Sequence, residues 1–309
     1  MDSSTQSTLF NISELKLSSS SGHPSMPVIG LGCAVDKCLR CAVDKSDTDA
    51  LKLVVLEAIK LGYRHFDTAA MYGTEKALGE AIAEALRLGL VSSREQLFIT
   101  SKLWCQNAHR DHVIPALKKS LSALQMEYLD LYLRRLWGEA IAEALRLGLS
   151  TENALRDHTS ISFTGPISSK PGELDFLNLK KRPLPMDYRG AVEAWKNLND
   201  GLTKSIRSQQ LLRKKIEDPY SPSLPSLLQI NQRCILSGNR AKSRILQAKG
   251  MNCHVLLSFW GGKIYGSNQV LENEALRRLQ MARGKTLAQV SLRWIVENGA
   301  TVVYIRAQH

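Results

Sequence analysis

The sequence predicts an α/β protein built around a parallel sheet, and two observations carry this prediction. Over residues 1–133 of the 309-residue chain, short apolar runs alternate with amphipathic helical patterns. Such alternation is typical of a parallel sheet, either doubly wound or closed into a (β/α)8 barrel. No G-x-G-x-x-G motif follows the first apolar run, which argues against a dinucleotide-binding doubly wound sheet. The length and a hydrophobic content of 44% fit one large barrel or two ordinary domains.

Local patterns place each element in order. The run "MPVIGLG" (26–32) predicts a strand that enters a turn at its glycines. Further strands are predicted for "YRHFDTA", "EQLFITSKLW" and "YLDLYL". Between the strands, "SDTDALKLVVLEAIKLGY", "GTEKALGEAIAEALRLGL" and "VIPALKKSLSALQM" have the spacing of amphipathic helices, and Thr74 is the expected cap of the second helix. Four strands therefore alternate with three helices.

Polar residues lie at the predicted carboxyl ends of these strands. Asp67 ends the second strand, Tyr72 lies in the loop after it, and Lys102 ends the third strand. In a barrel, this end of the sheet carries the active site. A tyrosine hydroxyl can protonate a carbonyl oxygen, a nearby ammonium favours the phenolate, and an aspartate can hold that ammonium. The alternative is that Asp67 caps a helix, Lys102 lies at the surface and Tyr72 is a loop aromatic; the pattern alone leaves both open.

The chain has a net charge of +12 at pH 7, and much of the excess follows residue 130. The clusters "LKKRP", "LLRKK" and "NRAKSR" contribute to it, and a basic patch can bind nucleic acid or an anionic cofactor. These clusters have no interleaved aromatic residues and no nucleic-acid motif, so a solvated surface is the favoured interpretation. We expect no nucleic-acid partner.

A membrane location is not expected either. No apolar run approaches the roughly 18 residues that a membrane span needs. The polar, Ser-rich start of the chain lacks the basic and apolar regions of a secretory signal, and it has no arginine, which argues against a transit peptide. We therefore expect a cytosolic protein.

Three of the six cysteines have a spacing that can hold an iron–sulfur cluster. Cys33, Cys38 and Cys41 form C-x4-C-x2-C, the spacing of plant-type ferredoxins. The pentapeptide "CAVDK" nevertheless occurs at both 33–37 and 41–45, so a short duplication generates two of these cysteines without any need for a cluster. We expect no metal.

Several stretches resemble the plant aldo-keto reductases, in particular the group of chalcone (polyketide) reductases, methylecgonone reductases and codeinone reductases. They include "MPVIGLG", "GYRHFDTAAMYGTEKALGEAIAEAL", "SREQLFITSKLW" and "MEYLDLYL", and later "LPMDYRGAVEAW" and "GKTLAQVSLRWIVENGATVV". The resemblance spans roughly residues 26–303 with gaps. It implies a (β/α)8 barrel over 26–309, irregular at 134–165 and 207–250 and incomplete at its C-terminus, preceded by a polar segment and capping hairpin at 1–25.

The resemblance also implies an activity. Members of the family bind NADPH across the carboxyl ends of the strands and reduce ketones or aldehydes with a tetrad of Asp, Tyr, Lys and His. Carried over by motif, Tyr72 is the proton donor, Lys102 favours its ionised form, and Asp67 supports Lys102. The cofactor-binding residues implied are Gly32, Asp67, Gln232 and Ser258. The expected protein is a monomer that acts on a small carbonyl compound of plant secondary metabolism.

The chain departs from the family pattern after the fourth strand. Relatives continue "YLDLYL" with a two-residue step to the tetrad histidine, whereas Arg134 and Arg135 stand here. The twelve residues "GEAIAEALRLGL" at 79–90 then recur at 138–149. Strands do not repeat around the second copy, so an internal repeat architecture is not indicated. We interpret the second copy as the result of an event in the gene, or of a misread exon boundary, that overwrote the end of this strand.

Other positions differ as well. Gln209 and Gln210 stand where relatives have the Ser and Asn that bind the nicotinamide carboxamide, and Tyr304 replaces the phosphate-binding Lys. The closing helices and C-terminal loop of the family are expected to be missing. Two hypotheses follow: a working NADPH-dependent reductase, or a family member impaired in catalysis and cofactor binding.

Overall fold

The fold is given by a computed structural model. It describes residues 12–15, 25–34, 45–104, 107, 109–135, 194, 201–204, 206–209, 227–231, 252–258 and 273–305.

Helices and strands alternate through the described part of the chain. In chain order they are β1 (Glu14–Leu15), β2 (Met26–Pro27), β3 (Ile29–Gly32), α1 (Lys45–Lys60), β4 (His65–Asp67), α2 (Glu75–Arg87), β5 (Phe98–Leu103), α3 (Arg110–Leu124), β6 (Leu131–Arg135), β7 (Ile206–Gln209), β8 (Leu227–Asn231), β9 (Asn252–Ser258), α4 (Glu274–Arg283), α5 (Leu287–Glu297) and β10 (Ala300–Ile305).

Eight parallel strands close into a barrel. The order around it is β3-β4-β5-β6-β7-β8-β9-β10, and β10 pairs with β3 to complete the ring. Strands β1 and β2 form a separate antiparallel pair. The predicted (β/α)8 barrel is therefore confirmed. Because every position around the barrel has its strand, the incompleteness expected at the C-terminus does not extend to the sheet.

Apolar side chains cover both the inner and the outer face of the barrel wall. Successive residues of a strand point to opposite faces, so Phe98, Thr100 and Lys102 share one face of β5, and Ile99, Ser101 and Leu103 share the other. Phe98 packs with Met26, Leu131 and Leu133 inside the barrel. Ile99 and Leu103 belong to the larger cluster that α1, α2 and α3 form against the outside of the sheet.

Helix α2 presents a buried face to this outer layer. Its buried side chains include Leu78, Ile82 and Ala85 at helical spacing. The predicted cap, Thr74, is the residue before the helix, but its side chain makes no capping hydrogen bond. The Thr74 hydroxyl lies instead 3.3 Å from the hydroxyl of Thr68, because the loop folds back on the end of β4.

A glycine brings α2 and α3 into close contact. A Cβ atom placed on Gly79 would lie 2.3 Å from the carbonyl oxygen of Leu124, and backbone cannot yield as a flexible side chain does. We expect Gly79→Ala to lower the free energy of unfolding by about 1–3 kcal/mol, the usual cost of overpacking. Urea denaturation measures this loss, and Glu84→Ala on the exposed side of the same helix is the control. Equal stability of Gly79→Ala and the unmodified chain would contradict this interpretation of the contact.

Candidate functional site

Asp67 and Lys102 meet at the carboxyl edge of the barrel. Asp67 is the last residue of β4, and Lys102 lies one residue before the end of β5. These strands are parallel neighbours, with Asp67 opposite Thr100, so the lysine two residues further along reaches back to the aspartate. Lys102 Nζ forms an ion pair with Asp67 Oδ1 and donates a hydrogen bond to the carbonyl oxygen of Thr68 at 2.9 Å.

The ion pair is almost fully buried. Asp67 is 1% exposed and Lys102 is 2% exposed. Burying two charges costs several kcal/mol per ion, which mutual attraction offsets only when the geometry is good and further hydrogen bonds are made. The bond to Thr68 is one such contact. A buried, hydrogen-bonded ion pair at this edge of a barrel is more typical of a working site than of a stability device.

Tyr72 completes the group that the sequence predicted. It ends the short 3-10 turn Ala70–Tyr72, in which its backbone N–H donates to the carbonyl of Ala69 at 2.9 Å. The left-handed conformation of Gly73, with φ of 68°, then redirects the chain into α2. Lys102 Nζ lies 5.0 Å from the centroid of the Tyr72 ring. The structure therefore brings Asp67, Lys102 and Tyr72 together, as the sequence predicted.

The charges of Asp67 and Lys102 also shift the pKa values of neighbouring groups. Burial raises the pKa of the Cys33 thiol well above its usual range, and the carboxylate of Asp67 adds to this effect. The backbone N–H of Cys33 donates to the carbonyl of Asp67 at 2.8 Å. Burial lowers the pKa of His65, below the site inside the barrel, to about 3, and Lys102 contributes in the same direction. Because its pKa is raised, the Cys33 thiol is uncharged where it lies beside Asp67.

The strands also fix the positions of the other residues that the sequence predicted for the site. Gly32 ends β3 in register with Asp67, and Ser258 ends β9 opposite Ile305. Gln232 comes directly after β8 and lies outside the described residues, as does Gln210. Gly32, Asp67 and Ser258 thus share the carboxyl edge of the sheet, but no described contact joins Ser258 to the ion pair.

The positions that depart from the family pattern lie along the same edge. Arg135 and Gln209 end β6 and β7 and are opposite each other in the sheet. Tyr304 lies within β10, half-buried, one residue before the strand ends. Sequence alternation puts Tyr304 on the strand face opposite Thr301, whose hydroxyl contacts His254 inside the barrel.

Sequence reasoning missed two polar residues behind the site. Glu75, the first residue of α2, is 7% exposed, and its carboxylate accepts a hydrogen bond of 2.7 Å from Ser101. Burial raises the pKa of this carboxyl group. A signal was present, because Glu75 has helical spacing with the buried Leu78 and Ile82 and so falls on the apolar face.

The described part of the chain shows neither a metal-binding cluster nor a membrane-spanning helix. In that part, no group of three or more His, Cys, Asp or Glu side chains is placed to hold a metal ion. Cys33 is buried and free, whereas Cys38 and Cys41 fall outside it. No described helix has the length and apolar character of a membrane span.

Comparisons with known proteins identify the family. The model of the "Aldo/keto reductase family" matches residues 40–145. The chain is 39% identical over 288 residues to an NAD(P)H-dependent 6'-deoxychalcone synthase of Glycine max, covering 92% of this chain and 79% of that protein. It is 37% identical over 290 residues to NADPH-dependent codeinone reductase 1-2 of Papaver somniferum, covering 90% of this chain and 76% of the relative.

A solved structure has the same architecture. The crystal structure of a Bombyx mori aldo-keto reductase in complex with NADP superposes with a TM-score of 0.62 at 25% identity. The match covers 92% of this chain and 81% of that one. The sequence relatives and the fold lead to one conclusion: the chain belongs to the aldo/keto reductase family.

Proposed function

We propose that this chain is an NADPH-dependent carbonyl reductase in which Tyr72 protonates the carbonyl oxygen of the substrate. The observation that carries the proposal is the buried Lys102 ammonium, 5.0 Å from the Tyr72 ring and paired with Asp67. This arrangement stabilises the phenolate that proton donation leaves behind. Asp67 holds Lys102 in place, so that the ammonium stays beside the ring.

We propose that a nicotinamide cofactor binds along this edge of the barrel. Gly32 has no side chain, so a flat ring can approach the strand end opposite Asp67 closely. Gly32, Asp67, Gln232 and Ser258 are the residues we assign to the cofactor. NADPH supplies the hydride to the carbonyl carbon when it is bound. The names of the Glycine max and Papaver somniferum relatives support NADPH as the cofactor.

The same relatives support a ketone or aldehyde of plant secondary metabolism as the substrate class. We further propose that the protein acts as a cytosolic monomer. Oxidation of NADPH by the purified chain, followed in the presence of a panel of plant ketones and aldehydes, tests the activity. No carbonyl-dependent oxidation over the panel would count against the proposal.

One observation favours a second candidate, an impaired reductase. Arg135 ends β6, where the family resemblance places the tetrad histidine. An arginine can donate a hydrogen bond to the carbonyl but cannot lose its charge, and its longer side chain takes more room. Gln209 at the end of β7 and Tyr304 in β10 replace two expected cofactor contacts.

The two candidates differ in the expected affinity for NADPH. Loss of the charge-assisted hydrogen bond to the phosphate alone costs about 1.5–3 kcal/mol. With the carboxamide contacts altered as well, an impaired chain is expected to bind NADPH towards the millimolar range. Arg135→His alone is then expected to leave turnover low, because the cofactor contacts stay altered. Isothermal titration of both proteins with NADPH, followed by the carbonyl assay, measures this. Micromolar affinity, or near-normal turnover after Arg135→His, would favour the working reductase.

A further inference from the structure

Glu75 is a buried acid directly behind the site. It begins α2, three residues after Tyr72, and lies in the layer between the helices and the barrel wall. Ser101 Oγ donates a hydrogen bond of 2.7 Å to Glu75 Oε1. Ser101 immediately precedes Lys102 in β5, and the two side chains point to opposite faces of the strand. Glu75 is thereby tied to the strand that carries the ammonium.

The segment 68–75, which carries Tyr72, is held against β5 at both of its ends. At the first end, the carbonyl of Thr68 accepts a hydrogen bond from Lys102 Nζ at 2.9 Å. At the other end, the carboxylate of Glu75 accepts the bond from Ser101. The two β5 residues that make these contacts, Ser101 and Lys102, are adjacent. The two ends of the segment are therefore fixed to the same place on the strand.

A second contact closes the loop on itself. The hydroxyls of Thr68 and Thr74 lie 3.3 Å apart, and both residues are fully buried. Tyr72 therefore lies in a short bridge between two fixed ends. Loss of the tie at Glu75 removes the side-chain contact that holds the second end of this segment against β5.

Stability alone does not account for an acid at this place. Burial raises the pKa of Glu75, so the folded state disfavours the charged carboxylate and folding loses free energy when the group ionises. The hydrogen bond from Ser101 and the charge of Lys102 lower this pKa but do not outweigh burial. Leu78 and Ile82 on the same helix face are apolar, so an apolar side chain would suit this face. The position of Glu75 is better explained by its hydrogen bond with Ser101.

We propose that Glu75 is a positioning residue, which acts through Ser101 to fix the Tyr72-bearing segment at its distance from Lys102. The inference rests on the proposed role of Tyr72, but its test does not require turnover. The tyrosinate absorbance of Tyr72 reports its ionisation, taken in each protein as the difference from the same protein carrying Tyr72→Phe. The midpoint of that titration depends on the distance to Lys102.

Matched variants separate the hydrogen bond from the charge. Glu75→Ala and Ser101→Ala both remove the tie and are expected to raise the Tyr72 midpoint by about half a pH unit or more. Glu75→Gln keeps an acceptor oxygen and is expected to titrate like the unmodified chain. Glu84 is a partly exposed acid on the same helix that pairs with Arg87, and Glu84→Ala is the control that should leave the midpoint unchanged.

Each outcome decides for or against the tie. Unchanged midpoints in both alanine variants would overturn the proposal, and so would a Glu75→Gln shift as large as that of Glu75→Ala, since the charge would then be responsible. If Glu75→Ala does not fold by circular dichroism, the midpoint of Ser101→Ala, which removes only one hydroxyl, decides the question. A chain without carbonyl reduction but with these shifts would contradict the proposed function and leave the positioning role standing.

Discussion

Tyr72→Phe is expected to lower kcat for carbonyl reduction by about two to four orders of magnitude, the usual contribution of general acid catalysis. The substitution removes the phenol oxygen and keeps the ring, so its packing against Ala69 and its position near Lys102 are retained. Affinity for NADPH should change little, because Tyr72 is not among the proposed cofactor contacts. Steady-state kinetics with one carbonyl substrate, together with an NADPH titration, measures both quantities.

A control tyrosine makes this result specific. Tyr63 is half-buried ahead of β4 and packs against the outer layer of the core. Tyr63→Phe removes a hydroxyl from this outer layer and is expected to leave kcat within about twofold, as for a change that touches no transition-state contact. A Tyr72→Phe protein with unchanged kcat would sink the assignment of Tyr72 as proton donor. If the unmodified chain turns over only after Arg135→His, the comparison is made in that background.

The second large effect is a loss of stability in acid. His65 and His254 are fully buried inside the barrel, with ring centroids 5.7 Å apart. His65 Nε2 lies 3.0 Å from the hydroxyl of Thr100, and His254 Nδ1 lies 2.6 Å from that of Thr301. Burial lowers the pKa of His65 to about 3 and that of His254 well below its usual value. Both rings are therefore neutral in the folded protein.

The direction of the effect follows from these shifts. Between the unfolded pKa of about 6.5 and the folded pKa near 3, the unfolded chain binds more protons than the folded one, so stability falls as pH falls. Each histidine contributes a slope of up to about 1.4 kcal/mol per pH unit in this window. Urea denaturation at a series of pH values from 7 to 5 measures the slope, in a range above the ordinary carboxyl titration.

Variants assign the slope to these two rings. His65→Gln with His254→Gln removes both titrating groups and is expected to flatten the decline, even if the double variant is less stable at pH 7. His112→Gln, which changes an exposed histidine of α3, is the control and should retain the full slope. An unchanged slope in the double variant would show that acid destabilisation has another origin.

Gly30 leaves the room that the ring of His65 occupies, since a Cβ there would lie 2.7 Å from Nδ1.

The first half of the barrel could be predicted from sequence because its elements carry their own signals. The run of His65–Asp67 and the amphipathic pattern of α2 are local, and the structure has both at the predicted places. The meeting of Asp67, Tyr72 and Lys102 followed from one rule, that carboxyl ends of parallel strands share an edge. The roles of these residues remain a prediction for the experiments above.

The tie between Glu75 and Ser101 was not predictable in the same way. An acid in the first turn of a helix is ordinarily explained by the helix dipole and by solvent, and periodicity does not reveal that a hydroxyl of β5 lies opposite. Thr74 shows the same limit, because the capping pattern correctly indicates a helix boundary while the Thr74 hydroxyl contacts Thr68. Such contacts depend on how two elements meet, which a single stretch of sequence does not contain.

The contact between Gly79 and the backbone of Leu124 bears on the meaning of the repeated twelve residues. Gly79 has no side chain and so leaves a notch in the surface of α2. The backbone carbonyl of Leu124 in α3 is the ridge that fills this notch. Notch and ridge are specified in different parts of the chain, so copying 79–90 to 138–149 copies only one half of an interface. A copied stretch keeps its helical propensity but brings no partner with it, so its reuse elsewhere requires a second matching backbone or a larger residue in place of the glycine.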